Sequence, residues 1–405
     1  MQKETWHFIT VTLVSVLLCA LASCSHEAES VDVPSADDMT LSIGFKVPTR
    51  AAADGYEEGE TYENYIDIAS GNYRIYFFGA DNKLISRFEP FTINGFVATE
   101  GSNYTEYSVF GKVPEELVEY KTFKMVVLAN WPQYNDAAMV VGETTIDDLC
   151  KAGWAQYDCL AGHVLGPTAG KYMPFYGVHE YSGVDFTKSQ TTTLTESVTL
   201  LRAMAKVEVI LETDDYFNLS FTSVAVNRYN AKGFCAPKNV LKQSDYDHNG
   251  NYAADYVHTL NLVGDKNDAA DKNLTFRKVR RWDENGKRYE KWVAYLPEYQ
   301  NQGAGNAYSS IKAKFDLQVS DDTPHTIYFA DYSDGKTDNS DSNRLNIERN
   351  NIYRFKVKCT GYNFKLLLTV SDWEGLYENV FNYGDGQIVS PTAPWEDEIS
   401  NDIEL

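Results

Sequence analysis

From Met39 onward the chain alternates. Met39, Leu41, Ile43, Phe45 and Val47 are apolar, and Thr40, Ser42, Gly44 and Lys46 stand between them. Strict period-two alternation predicts a strand with one face in a core. Pro48 ends it, and Thr49-Arg50-Ala51-Ala52-Ala53-Asp54-Gly55 reads as a polar loop of small residues, in which Arg50 is open to a trypsin-like protease. The same reading predicts strands at Tyr73–Phe78, Lys83–Phe88, Thr105–Phe110, Phe123–Leu128 and Val198–Leu200. Beyond these come Met204–Leu211, Phe221–Val226, Lys278–Trp282, Tyr289–Leu296, Ile311–Val319, Thr326–Ala330, Ile352–Cys359 and Phe364–Val370. Ala80-Asp81-Asn82 marks a turn, and Asn285-Gly286 signals a type I′ hairpin. A helix is expected only at Thr145–Tyr157, with Thr145 as its N-cap. Many short strands joined by turns imply antiparallel sandwiches. The Thr-rich run Gln190–Glu196 is the expected junction between an N-terminal domain, 38–195, and a C-terminal domain, 196–375.

The two ends follow other patterns. Phe8–Ala22 is an apolar run of about fifteen residues behind Lys3 and Trp6. That is short for a bilayer span and suits the core of an export signal. Leu21-Ala22-Ser23-Cys24 resembles a bacterial lipobox, which makes residues 1–23 a lipoprotein signal peptide and Cys24 the acylated, palmitate-bearing N-terminus. An ordinary signal peptide with a chance cysteine is the alternative. Residues 24–37 are small, acidic and aperiodic, a flexible tether. Residues 376–405 form an acidic tail with Pro391 and Pro394, whose apolar residues Val380, Phe381, Tyr383, Ile388, Val389, Trp395 and Ile399 do not alternate cleanly. It is either a donor strand or a segment, Val389–Glu398, that packs on its own domain through Trp395.

Composition narrows the function. Apolar residues make up 43% and aromatics 14%, with 28 Tyr, which supports real cores and β-structure. A net charge of −22 argues against nucleic-acid binding, which needs clustered positive charge. Beyond Cys24 the mature chain has Cys150, Cys159, Cys235 and Cys359, with no CxxC pair; a zinc site is not expected. Cys150–Cys159 would close the shortest disulfide loop, and buried free thiols are the other reading. No His pair has helical zincin spacing, and there is no GxSxG elbow, phosphate loop or dinucleotide fingerprint. Asp245, Asp247 and Asn249 precede Gly250 as in half of a calcium loop, but Tyr256 stands where the bidentate Glu belongs, so a polar turn is the expectation. Neither a cofactor nor an enzyme activity is expected.

Several segments together resemble the fimbrillin family, pilus subunits of Bacteroides-type bacteria. They are the lipobox, the alternating strand ending in Thr49-Arg50-Ala51, Val126–Trp131 (VVLANW), Met173–Gly177 (MPFYG), Leu200–Val209 (LLRAMAKVEV), Tyr295–Tyr299 (YLPEY), Arg349–Val357 (RNNIYRFKV) and Leu368–Trp373 (LTVSDW). The resemblance spans essentially the whole mature chain. It implies two tandem transthyretin-like Greek-key β-sandwich domains. It further implies delivery to the outer membrane as a lipoprotein on Cys24, cleavage by an Arg-specific protease between Arg50 and Ala51, and loss of the strand carrying Met39, Leu41, Ile43, Phe45 and Val47. A donor strand from another pilus subunit would fill the groove, building a surface fimbria that supports cell adhesion. A non-enzymatic lipoprotein that binds glycans through its Tyr and Trp residues is the contrasting expectation.

Overall fold

The computed structural model describes residues 39–48, 62–91, 96–100, 104–131, 138–150, 156–214, 218–237, 266–267, 273–305, 307–316, 324–330, 340–360, 363–372, 380–381 and 388–389. They are mostly β, as the alternation predicts. In the first sheet, β1 (Thr40–Pro48), β4 (Phe96–Glu100), β5 (Tyr104–Lys112) and β10 (Val198–Thr199) run in the order β10-β1-β5-β4, and β9 (Thr191–Thr193) also pairs with β1. The second sheet has β2 (Tyr73–Phe78), β3 (Leu84–Arg87), β6 (Thr122–Ala129), β8 (Phe175–Ser182) and β11 (Leu201–Arg202) in the order β11-β8-β6-β2-β3. One apolar cluster takes Leu41, Phe45 and Val109 from the first sheet and Phe77, Met125 and Val178 from the second. That is sandwich packing.

A second pair of sheets repeats the arrangement. β12 (Ala205–Asp214), β18 (Arg277–Glu284), β19 (Lys287–Leu296), β22 (Asn351–Thr360) and β23 (Asn363–Asp372) form the third sheet in the order β18-β19-β12-β22-β23. The fourth contains β13 (Phe221–Asn227), β17 (Leu274–Thr275), β20 (Ser310–Phe315) and β21 (His325–Tyr328) in the order β17-β13-β20-β21. Val207, Val209 and Phe355 meet Val224, Ile311 and Ile327 in a second cluster. Short ladders join β7 (Gln156–Asp158) to β15 (Lys232–Phe234), β14 (Tyr229–Asn230) to β16 (Lys266–Asn267) and β24 (Val380–Phe381) to β25 (Ile388–Val389).

Most sequence-read strands are present. Asn285 and Gly286 have φ of 51° and 73°, and Glu284 pairs with Lys287, so the β18–β19 connection is the expected type I′ turn. Three features differ. The expected helix at Thr145–Tyr157 is a 3-10 turn, Ile146–Cys150, followed by strand β7. There Asp148 accepts from the backbone N–H and hydroxyl of Thr145, so the polar pair closes a single turn. The Thr-rich run is no free linker, since Thr191–Thr193 pairs with Thr40–Ser42. Finally, the sheets are mixed: β1 runs parallel to β9 and β10, and β12 runs parallel to β22. Parallel partners need long crossovers, and here whole sets of strands intervene.

Candidate functional site

The N-terminal strand is the candidate site. Its five apolar side chains are 0–2% exposed, so one full face of β1 lies in the first core. Phe45 stacks on Tyr107 with ring centroids 5.1 Å apart. β1 is also central: nine residues, from Thr40 opposite Lys112 to Pro48 opposite Tyr104, pair with β5 on one edge. On the other edge the Thr40 N–H donates to Gln190 O at 2.7 Å, and Ser42 O and Lys46 O accept from the N–H groups of Leu194 and Leu200, both at 2.9 Å. The polar face (Thr40, Ser42, Gly44, Lys46) is not open solvent either. Ser42 is buried, and the carboxylate of Glu106 and the hydroxyl of Ser197 hydrogen-bond across Gly44. Sequence reading missed this bridge, although a glycine inside a strand signals close approach by a neighbour.

The other sequence-derived site residues lie elsewhere. Cys24, Arg50 and Ala51 fall outside the described residues, as do Asp245, Asp247 and Asn249 of the partial calcium loop and Trp395 of the tail. Among the described residues no cluster of His, Cys, Asp and Glu is suited to a metal ion, and no helix is long and apolar enough to cross a membrane. Cys159, Cys235 and Cys359 are free thiols. Burial pushes Cys159 up to about 12 and Cys359 up to about 11, so neither is poised as a nucleophile. Tyr76, Tyr176, Tyr295, Tyr299, Tyr353 and Trp131 are among the largest fully buried side chains, which leaves these rings unavailable to stack on a sugar.

The segments behind the family resemblance are structural anchors. Asn130 has a left-handed backbone, φ 57°, and its side chain donates to Tyr65 O (2.7 Å) and Met173 O (3.0 Å) and accepts from the Asp67 N–H (3.0 Å). It thereby pins the chain just ahead of β2. Arg202, fully buried, donates to the side chains of Asn64 and Asn350. Arg349 grips Glu298 with two parallel bonds of 2.8 and 2.7 Å and donates to the carbonyls of Phe234 and Cys235. Lys206 reaches Glu63 at 2.9 Å and Glu208 at 3.0 Å, so the segment before β2 is also tied to β12.

One carboxyl in this region is held in the neutral form. Burial, and then the charge of Glu298, push Glu348 up to about 8. A folded-state value above the unfolded 4.5 gives stability that is full below pH 4.5 and declines as pH rises through 8. Glu348→Gln should therefore leave the urea midpoint unchanged at pH 4 and raise stability by about 1–3 kcal/mol at pH 8. An equal gain at both pH values would show that ionisation is not its cause.

No family model matches the chain, and no curated protein does. Solved structures with similarity include the tip fimbrial protein Mfa3 of Porphyromonas gingivalis, at 12% identity and a TM-score of 0.48 over 82% of this chain and 100% of that one. A fimbrial assembly protein of Parabacteroides distasonis matches at 14% identity and a TM-score of 0.44 over 83% and 97%. The fimbrial anchor protein Mfa2 of P. gingivalis matches at 8% identity and a TM-score of 0.32 over 82% and 98%.

Proposed function

We propose that this chain is a fimbrillin-type pilus subunit, delivered as a lipoprotein on Cys24 and activated by cleavage between Arg50 and Ala51. The cut releases β1, and a strand from another subunit takes its place. The observation that carries the reading is the placement of β1, with five side chains in the core, both edges hydrogen-bonded, and Arg50 two residues beyond its end. At about 1.5–3 kcal/mol for each fully buried side chain, roughly 7–15 kcal/mol is at stake, as much as the stability of a whole domain. Loss of β1 would leave a groove with unpaired strand edges on both sides, which is the condition for strand addition. The reading rests on this geometry and on the sequence motifs, not on the weak likenesses to solved fimbrial proteins. The two sandwiches act as tandem units meeting at Ala203-Met204, where the chain passes from β11 to β12. The precursor sits on the outer membrane through its lipid, and its partners are other pilus subunits and an Arg-specific protease.

The N-terminal residue of protein recovered from surface fibres tests this. Ala51 supports the proposal. Cys24 means that the chain keeps its anchor and β1 stays in place, which defeats strand exchange in this subunit.

A further inference from the structure

We infer that the β1 groove selects its strand at a single register position, where it admits glycine and rejects larger residues. The inference rests on the strand-exchange reading above and adds what the incoming strand must look like.

Alternation of apolar residues cannot set register alone. A slip of two residues keeps the same face in the core, so a groove lined only by apolar pockets accepts several offsets. The β1 groove has an additional feature. Ser42 lies opposite Thr193 and Phe45 opposite Val198, so three steps along β1 match five along the neighbouring segment. The two surplus residues form a bulge at Gly44, and bulges in parallel pairs are rare. This one is fastened down. The Tyr181 hydroxyl donates to Glu196 O, and His179 Nε2 lies 3.1 Å from Glu196 Oε2, so β8 holds the bulge from beneath. Ser197, the next residue, donates its hydroxyl to Glu106 of β5, which closes the bridge over Gly44.

A Cβ on residue 44 would lie 2.5 Å from Ser197 Oγ, 3.3 Å from Ser197 Cβ and 3.5 Å from Glu106 Oε1. Alanine there forces the Ser197 hydroxyl to turn off Glu106, and valine adds two further carbons at the same crowded point. Shifting the strand by two residues sets Ser42 or Lys46 under the bridge and meets the same obstacle. Only the native register keeps the Ser197–Glu106 bridge intact. The occupant is an extended segment with glycine at this position, apolar residues one, three and five places before it and one and three places after it. The residue just after the glycine is aromatic, to stack on Tyr107 as Phe45 does.

This chain's own tail does not fit that description. Its two glycines after residue 376 are Gly384, followed by Asp385, and Gly386, which sits between Asp385 and Gln387. The partner is therefore a subunit that offers a strand with the glycine-keyed pattern, and residues 376–405 of a second copy are not that strand.

Peptide binding to the protein cleaved after Arg50 and stripped of β1 tests the inference, alongside thermal melts of the uncleaved chain. The peptide MTLSIGFKV should bind, the Gly44→Val peptide should bind at least tenfold more weakly, and Ser197→Gly in the protein should recover most of that loss. The peptide of residues 376–390 should bind no better than the valine peptide. In the uncleaved chain, Gly44→Val should lower the melting temperature, and added Ser197→Gly should restore much of it. Valine is the better strand residue, so without the bridge it would bind as well or better. Equal binding of the glycine and valine peptides, or an unchanged melt for Gly44→Val, overturns the register key and leaves strand exchange standing. Tight binding of the tail peptide overturns the choice of partner. Binding of neither MTLSIGFKV nor its valine variant overturns strand exchange, and the key with it.

Discussion

Arg50→Ala is expected to yield a folded, lipid-anchored chain that accumulates in the outer membrane and is missing from fibres. Without the cut, Met39, Leu41, Ile43, Phe45 and Val47 stay in the core and β1 keeps both of its neighbours. No groove opens, so no strand can enter. The melting temperature of the variant should equal or exceed that of the cleaved protein, since roughly 7–15 kcal/mol of burial is retained. The cleaved protein should not collapse entirely, because Glu63, Tyr65 and Asp67, among the first described residues after Arg50, are tied to Asn130 and Lys206. Adding the peptide MTLSIGFKV should restore stability by mass action, by about 2.7 kcal/mol when the peptide is at a hundred times its dissociation constant. Fractionation of cells producing Arg50→Ala into membrane and fibre pools decides the matter. Normal incorporation into fibres would sink the activation mechanism and move the chain toward a subunit that is never cut.

The chain announced its strands but not their partners. β1, β2 and β19 were readable because a residue's face in a strand is a local property, and alternation or a run of large apolar residues reports it directly. Pairing is not local. Nothing between Thr40 and Val47 reveals that the strand is central, or that its second neighbour comes from Thr191–Thr199. The same silence hid the parallel pairing of β12 with β22. The run Gln190–Glu196 looked like a linker because threonines in series lack an apolar face. Its backbone pairing supplies what its side chains do not advertise.

The polar residues of β12 were misleading in a more useful way. In MAKVEVIL the pattern sets Lys206 and Glu208 opposite Val207 and Val209, and a single-sided strand would leave those charges in water. In the structure they are buried, because the second face of this sheet lies where the two halves of the chain meet. No local signal separates a solvent face from a face covered by distant residues. The motifs that carried the family resemblance concentrate there too. Asn64, Arg202, Glu298, Arg349 and Asn350 form ion pairs or side-chain hydrogen bonds around that meeting. Burying polar groups of this kind is costly without hydrogen-bond partners, which restricts the residues a fold can use at such positions.

Glu208→Ala is expected to destabilise the protein by about 3–5 kcal/mol, the cost of leaving buried charges without their counter-ion. Glu208 is fully buried, and its carboxylate faces Lys291 at 2.7 Å, Lys206 at 3.0 Å and Arg354 at 2.7 Å. Burial opposes its ionisation, but the three cations outweigh that and hold the carboxyl well below the usual carboxylate range. Lys206 keeps Glu63 as a second partner, and Arg354 reaches partly to solvent, whereas the Lys291 ammonium is fully buried against the vacated carboxylate. Glu208→Leu combined with Lys291→Met should accordingly lose less stability than Glu208→Ala alone. By contrast Asp214→Ala, which breaks a more exposed pair with Lys287 at the end of the same strands, should cost about 0–1 kcal/mol. Because the folded-state value for Glu208 is depressed, its contribution is complete above the unfolded value of 4.5 and is lost only as pH falls through the folded one. The gap between wild type and Glu208→Ala in urea denaturation should thus stay constant from pH 8 to pH 5 and narrow only in stronger acid. A gap that already narrowed between pH 7 and pH 5 would mean that the carboxylate is not held by its three cations.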